Sequence, residues 1–199
     1  MLSFDPQPVV LSGRHVRLEP MAPAHAAALF AAGRDPEVHR YLLDPPPATE
    51  ADVAATIAAA LAAAAAGTQV PWVIVHLASN RVAGTTRYLD LRRAHRALEI
   101  GYTWLAPGFQ RTVVNTEAKY LLLRHAFESL GAVRVQLKTD ERNARSRAAI
   151  ERLGARFEGI LRNYQTRADG FVRNTAMYAL TGADWPAVKA RLEARLAAG

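Results

Sequence analysis

The chain has 199 residues, half of them hydrophobic and 22% charged, which suffices for one well-covered core and excludes a disordered chain. Its 25 Lys plus Arg against 18 Asp plus Glu leave a formal charge of +7. That surplus suits an anionic partner, but a small nucleotide's phosphates satisfy it as well as a nucleic acid does, so nucleic acid is not the expected partner. The lack of cysteine excludes disulfides, thiolate-bound zinc and a covalent acyl-cysteine intermediate.

In chain order, the opening MLSFDPQPVVLSGRH has neither a basic nor an apolar signal-peptide region. Val9–Pro20 reads as a first strand ended by its proline. Pro23 suits the first turn of a helix over Ala24–Ala32, and Asp35-Pro36 starts a second short helix carrying Val38, Tyr41 and Leu42. Pro45-Pro46-Pro47 then forces an extended loop. Thr49 with Asp52 three positions later opens an Ala-rich helix to Ala66 that stops at Gly67. Its Ala content reflects helix propensity and carries no functional signal. The uncharged run from Val53 to Val75 is broken by Gly67, Gln69 and Pro71 and does not read as a membrane span, so a cytoplasmic protein without membrane contact is expected.

Three β-branched, apolar segments follow, Val70–Leu77, Arg81–Leu89 and Ala97–Leu105, and suggest an antiparallel meander. Between the last two, Arg92, Arg93, His95 and Arg96 make a charged loop read as solvated. From Asn115 the period turns helical, with Ala118, Leu121, Leu122, Ala126, Phe127 and Leu130 on one face and a stop at Gly131. A strand over Val133–Thr139, a helix capped by Asp140 or Asn143 and ended at Gly154, strands over Phe157–Tyr164 and Phe171–Leu180, and a last helix over 184–197 complete the chain. The reading is one domain over 1–199, with its core at about 9–181. It is α/β (α+β), with a single mixed, mostly antiparallel sheet of about seven strands flanked by helices.

Four passages carry a resemblance: Glu99–Leu105 (EIGYTWL), Asn115–Leu123 (NTEAKYLLL), Lys138–Ser146 (KTDERNARS) and Arg152–Gly159 (RLGARFEG). In order and spacing they resemble the GNAT N-acetyltransferases of the bacterial RimJ/RimL type, over roughly Val9–Leu180. The resemblance implies the GNAT fold, acetyl-CoA as donor co-substrate and transfer of acetyl to an amine, which is a protein N-terminus, a peptide or a small amine. It also implies that Gln110, Arg111, Thr112, Val113, Val114, Asn115 and Thr116 cradle the pyrophosphate. The family's small residues are replaced there by Val113 and Asn115, a departure that bears on cofactor affinity. Tyr102, Thr103, Trp104 and Leu105 match the strand whose backbone pairs with the pantetheine arm. Asn143 matches a pantetheine-binding residue that could equally be a helix cap.

For catalysis, Glu99 matches a carboxylate near the amine and Ser146 a hydroxyl near the thiol. A strand-end charge or ion pair is the structural alternative for Glu99. Glu158 reads better as a packing or hydrogen-bonding residue, and Gln165 stands where some relatives carry an acid. The six scattered histidines lack paired zinc spacing, so no metal is expected. Without cysteine, acetyl should pass directly within a ternary complex. Deprotonating a lysine-like amine instead of an α-amine costs roughly 3.5 kcal/mol more, which tilts the acceptor towards a weakly basic amine. An acyl-CoA-binding module of the same fold without turnover is the alternative. Relatives of this kind also form homodimers through the last strands or the C-terminal helix, and 180–196 has an apolar face for it.

Overall fold

A computed structural model describes residues 4–198. Met1–Ser3 and Gly199, the ends of the expected 1–199 domain and the start of the segment read for a signal peptide, lie outside the described residues. Eight strands form one sheet in the order β1-β2-β3-β4-β5-β6-β8-β7. They are β1 (Leu11–Ser12), β2 (Val16–Pro20), β3 (Val70–His76), β4 (Arg81–Arg92), β5 (Ala97–Leu105), β6 (Arg134–Asp140), β7 (Arg156–Thr166) and β8 (Val172–Thr181). All neighbours are antiparallel except β5 and β6. The helix between those two is the crossover that a parallel pair requires.

The helices are α1 (Ala26–Ala32), α2 (Glu50–Ala65), α3 (Val113–Arg124), α4 (Ala144–Leu153) and α5 (Trp185–Ala198). On one face of the sheet, α1 and α2 bury Leu29, Val53 and Ile57 against Val73 and Val75. On the other, α3, α4 and α5 bury Leu121, Leu122, Ile150, Val188 and Leu192 against Leu18, Ile74, Leu98 and Leu137. Thr49 and Asp52 cap α2 reciprocally. Asn143 caps α4, and Gly154, at φ +101°, ends it in a conformation that costs glycine least.

The opening strand of the sequence reading is two strands. Gly13, Arg14 and His15 leave the sheet and wrap the Glu117 carboxylate of α3, which accepts the N–H groups of Arg14, His15 and Val16 at 2.8, 2.6 and 2.7 Å. A Cβ at Gly13 would lie 2.4 Å from that carboxyl carbon, so a side chain there would push the carboxylate off these N–H groups. The expected second helix shortens to a 3-10 turn at Pro36–Val38, with Tyr41 and Leu42 beyond it in irregular chain. β4 runs to Arg92, three residues past its expected end. α3 starts at Val113, two residues before Asn115, because Thr112 accepts the Val114 N–H as its cap; the helix then widens into a π-turn at His125–Ser129.

Candidate active site

The parallel pairing of β5 with β6 covers only Ala97–Glu99 against Arg134–Gln136. Beyond it the strands part, and β6 continues to pair with β8 as far as Asp140. On its other edge β5 stays paired to β4 through a bulge: Thr85 faces Trp104 and Arg87 faces Gly101, so Tyr102 and Thr103 oppose one residue. Tyr102 takes φ +52°, a left-handed conformation uncommon for an aromatic residue. The Arg87 guanidinium stacks on its ring with Cζ 3.9 Å from the centroid, and burial lowers that guanidinium to about 10. The result is a cleft whose wall from Ile100 to Leu105 has main-chain groups facing no strand, suited to pairing with an extended amide-bearing chain.

The cleft opens into a groove of about 490 Å³. Of the sequence-predicted residues, Glu99, Tyr102, Thr103, Trp104, Leu105, Gln110, Arg111, Thr112, Asn115, Thr116, Asn143 and Ser146 line it. The side chains of Val113 and Val114 do not. Since α3 starts at Val113, its 3.6-residue period turns Val114, Ala118 and Leu121 to the core and Asn115, Thr116 and Lys119 to the groove. Val113 therefore leaves the groove open, and what the pair can offer a ligand is main chain. The first-turn N–H groups and the positive end of the helix dipole suit an anion, as at any helix N-terminus. Arg111, at φ +61°, stands just before them.

Sequence reasoning missed four further guanidinium groups lining the groove, Arg145 and Arg152 of α4, Arg195 of α5 and Arg173 of β8. Arg145 donates to Gln110 Oε1 at 2.8 Å and so ties α4 to the turn before α3. The Asn143 side chain serves as the helix cap, its Oδ1 accepting the Ser146 N–H at 3.0 Å. Asn143 also lines the groove.

At the other end Glu99 is 1% exposed. Its Oε2 accepts from Lys138 Nζ at 2.8 Å and from Gln136 Nε2 at 3.3 Å. Its Oε1 has no donor among the described residues and sits 2.6 Å from where a Cβ of Gly101 would be. One carboxylate oxygen is thus held in an ion pair while the other faces the bare Cα of Gly101. Glu158 lies outside the groove and forms a two-pronged pair with Arg134 at 2.6 and 2.5 Å, the hydrogen-bonding role the sequence favoured.

Lys119, also unpredicted, is 8% exposed and donates from Nζ to Thr103 Oγ1 at 2.6 Å. Burial lowers its ammonium to about 7, with the Glu99 carboxylate opposing that shift. The far wall comes from distant segments: the β7–β8 hairpin clasps residues 40–43, Arg167 and Arg173 donating to the carbonyls of Arg40 and Tyr41 at 2.8 and 3.0 Å. Gln165 accepts from Arg173 at 2.9 Å and lines the same end. The arrangement joins an anion-receptive mouth, a wall for an amide chain and a buried end with one free carboxylate oxygen and a buried amine, the parts that acyl transfer from a phosphorylated carrier requires.

Residues 15–156 match the family described as the acetyltransferase (GNAT) domain. The structure superposes on a GCN5-related N-acetyltransferase from Brucella melitensis with a TM-score of 0.90 and 32% identity, covering 96% of this chain and 87% of that one. Mycobacterium smegmatis RimJ, solved in complex with CoA-disulfide, superposes with a TM-score of 0.80 at 23% identity over 94% and 95% of the two chains, a likeness of fold. Over 100 residues, half of this chain, it is 33% identical to the Bacillus subtilis (strain 168) protein named "Putative ribosomal N-acetyltransferase YdaF", and the match spans 54% of that relative's length. With the family's domain matched across most of its length and the family's fold throughout, the chain belongs to the GNAT acetyltransferases.

Proposed function

We propose that this chain is an acetyl-CoA-dependent N-acetyltransferase of the RimJ/RimL type, moving acetyl directly to an amine within a ternary complex. The acceptor is a protein N-terminal α-amine, a peptide or a small amine of low basicity. One observation carries the reading. A single groove connects the α3 N-terminus, with Arg111 and Arg145 beside it, to the buried Glu99 and Lys119 through the gap between β5 and β6.

Phosphates of the donor meet Arg111, Arg145, Arg152, Arg195 and the α3 amides, where guanidinium groups give charge-assisted hydrogen bonds. The pantetheine arm lies along Tyr102–Leu105, with the Asn143 amide within its reach, and brings the thioester towards the bulge. Glu99 Oε1 accepts an N–H of the incoming amine, and the Ser146 hydroxyl stands near the sulfur. The CoA-disulfide bound by the M. smegmatis RimJ supports this donor.

The homodimer that the resemblance implies would use β7 rather than α5. Trp185, Val188 and Leu192 of α5 are buried in the core, whereas Phe157, Ile160, Leu161 and Tyr164 of the edge strand β7 are exposed.

Three experiments test the reading. Calorimetry should give micromolar binding of acetyl-CoA and at least tenfold weaker binding of acetyl-pantetheine, which lacks the phosphate groups; equal binding of both would refute the assigned cradle. Steady-state rates with both substrates varied should give intersecting reciprocal plots, and parallel lines would defeat direct transfer. Glu99→Gln is expected to lower kcat by about 10²-fold while acetyl-CoA affinity is retained. Undiminished turnover in that variant would remove Glu99 from the chemistry.

A further inference from the structure

We propose that Lys119 is a catalytic residue of the transfer, carrying the proton from the acceptor nitrogen to the departing thiolate from its place on the groove floor. This rests on the acetyl-transfer reading above.

The first support is its setting. Lys119 lies one turn below Asn115 and Thr116 on the groove face of α3, and its chain spans to Thr103 on the bulge of β5. Thr103 Oγ1 is itself 2.8 Å from Thr86 Oγ1, so among the described residues the amine is held by one hydroxyl, itself hydrogen-bonded to a second, and by no carboxylate. A lysine kept this dry for structure alone is normally paired with an acid.

Other charges around it do not fill that role. Glu99 on β5 attracts the amine from a distance but forms no ion pair or hydrogen bond with it among the described residues, and its Oε2 is engaged by Lys138 of β6 at 2.8 Å. Arg173 of β8 spends its nitrogens on Thr175, Tyr41 and Gln165. Arg145 of α4 is bound to Gln110 at the phosphate end. Glu117, on Lys119's own helix, faces away into the Gly13–Val16 turn.

Second is the chemistry. The free acceptor amine attacks the thioester carbonyl carbon, forming the C–N bond and a tetrahedral adduct with a positive nitrogen. That nitrogen passes one proton to the Nζ lone pair of Lys119. The C–S bond then breaks, and the thiolate, whose conjugate acid has a pKa of about 8.5, takes the proton back. Amide and thiol leave, and Lys119 returns to its neutral form. An amine brought to about 7 by burial is half-deprotonated at neutral pH and still acidic enough to reprotonate a thiolate, so both transfers are accessible.

The test compares Lys119→Arg, Lys119→Met and the native chain. Arginine keeps the charge and can reach Thr103, but it never gives up its proton. Both variants should bind acetyl-CoA within threefold of native in calorimetry, lose about 10²- to 10⁴-fold in kcat, and lack the acidic limb near pH 7 of the native kcat profile. NMR of the native chain labelled with ¹³C at lysine Cε should show one signal titrating near 7 that disappears in Lys119→Arg. Turnover of Lys119→Arg within threefold of native, loss of acetyl-CoA binding in both variants, or no lysine titrating below pH 9 would each overturn the proposal. If the native chain acetylates no amine, the functional reading falls instead, and the NMR titration still reports whether Lys119 is the poised base.

Discussion

Glu117→Ala is expected to destabilise the fold by ~3–5 kcal/mol, because three main-chain N–H groups, that of Val16 buried and those of Arg14 and His15 partly buried, lose their acceptor together. Arg14, His15 and Val16 donate to one carboxylate at 2.6–2.8 Å, and Glu117 is 4% exposed, so water has little access to replace it. Each orphaned buried donor costs about 1–3 kcal/mol, and partial relaxation of the turn keeps the sum below three times the upper figure. Glu117→Gln keeps one acceptor oxygen and turns an amide N–H₂ towards N–H groups, so about half of that loss should remain. The effect reaches the groove because Glu117 ties α3 to β2 between the two turns that present Thr116 and Lys119. A looser α3 should weaken acetyl-CoA binding several-fold at temperatures where the variant is still folded. Urea unfolding of the three proteins measures the order; a loss below 1 kcal/mol in Glu117→Ala would mean that water or a shifted turn satisfies those donors.

The same contact shows where the sequence stopped being legible. Local chemistry announces the helices: Thr49 and Asp52 form a reciprocal cap, Asn143 caps α4, and Gly67, Gly131 and Gly154 adopt positive φ where helices stop. The apolar, β-branched runs of β3 to β5 and the α3 crossover also follow from short-range pattern. The split of the first strand does not, since the acceptor that bends Gly13–His15 stands about a hundred residues away.

At the site, motif resemblance singled out residues of which most line the groove but could not say which way they face. Orientation depends on where α3 begins, and moving that start two residues to Val113 turned Val113 and Val114 out of the groove. The bulge rests on Tyr102 at φ +52°, a residue type that gives no local hint of it. The wall at Tyr41–Leu43 exists only through the β7–β8 hairpin, with Ala168 N–H donating to Leu43 O at 3.1 Å. Lys119 was hidden for a simpler reason: lysine on a helix ordinarily reads as a solvated side chain, and only the fold shows that α3 presses this one against Thr103.

That burial leads to the second large effect. Lys119→Met should raise stability at neutral and acidic pH even though it abolishes the proton relay. In the unfolded chain the lysine titrates at its ordinary 10.5, and in the fold at about 7. Between those values the unfolded state binds a proton that the folded state lacks, so native stability climbs as pH rises through the window from 7 to 10.5. Below 7 both states hold the proton, and the fold bears the whole cost of a dry ammonium, on the order of a few kcal/mol. Methionine fills similar space without a charge. Against this, Thr103 loses one hydrogen-bond donor, about 1 kcal/mol, and keeps Thr86 at 2.8 Å. The net gain should be largest at or below pH 7 and shrink steadily towards 10.5. Urea midpoints of native and Lys119→Met across pH 6 to 10 test it, and parallel pH profiles would show that the lysine's proton is not linked to folding. A fold that keeps a destabilising amine in its groove, where methionine would pack at lower cost, retains it for a use that stability does not explain, and proton transfer during acetylation is the use its surroundings permit.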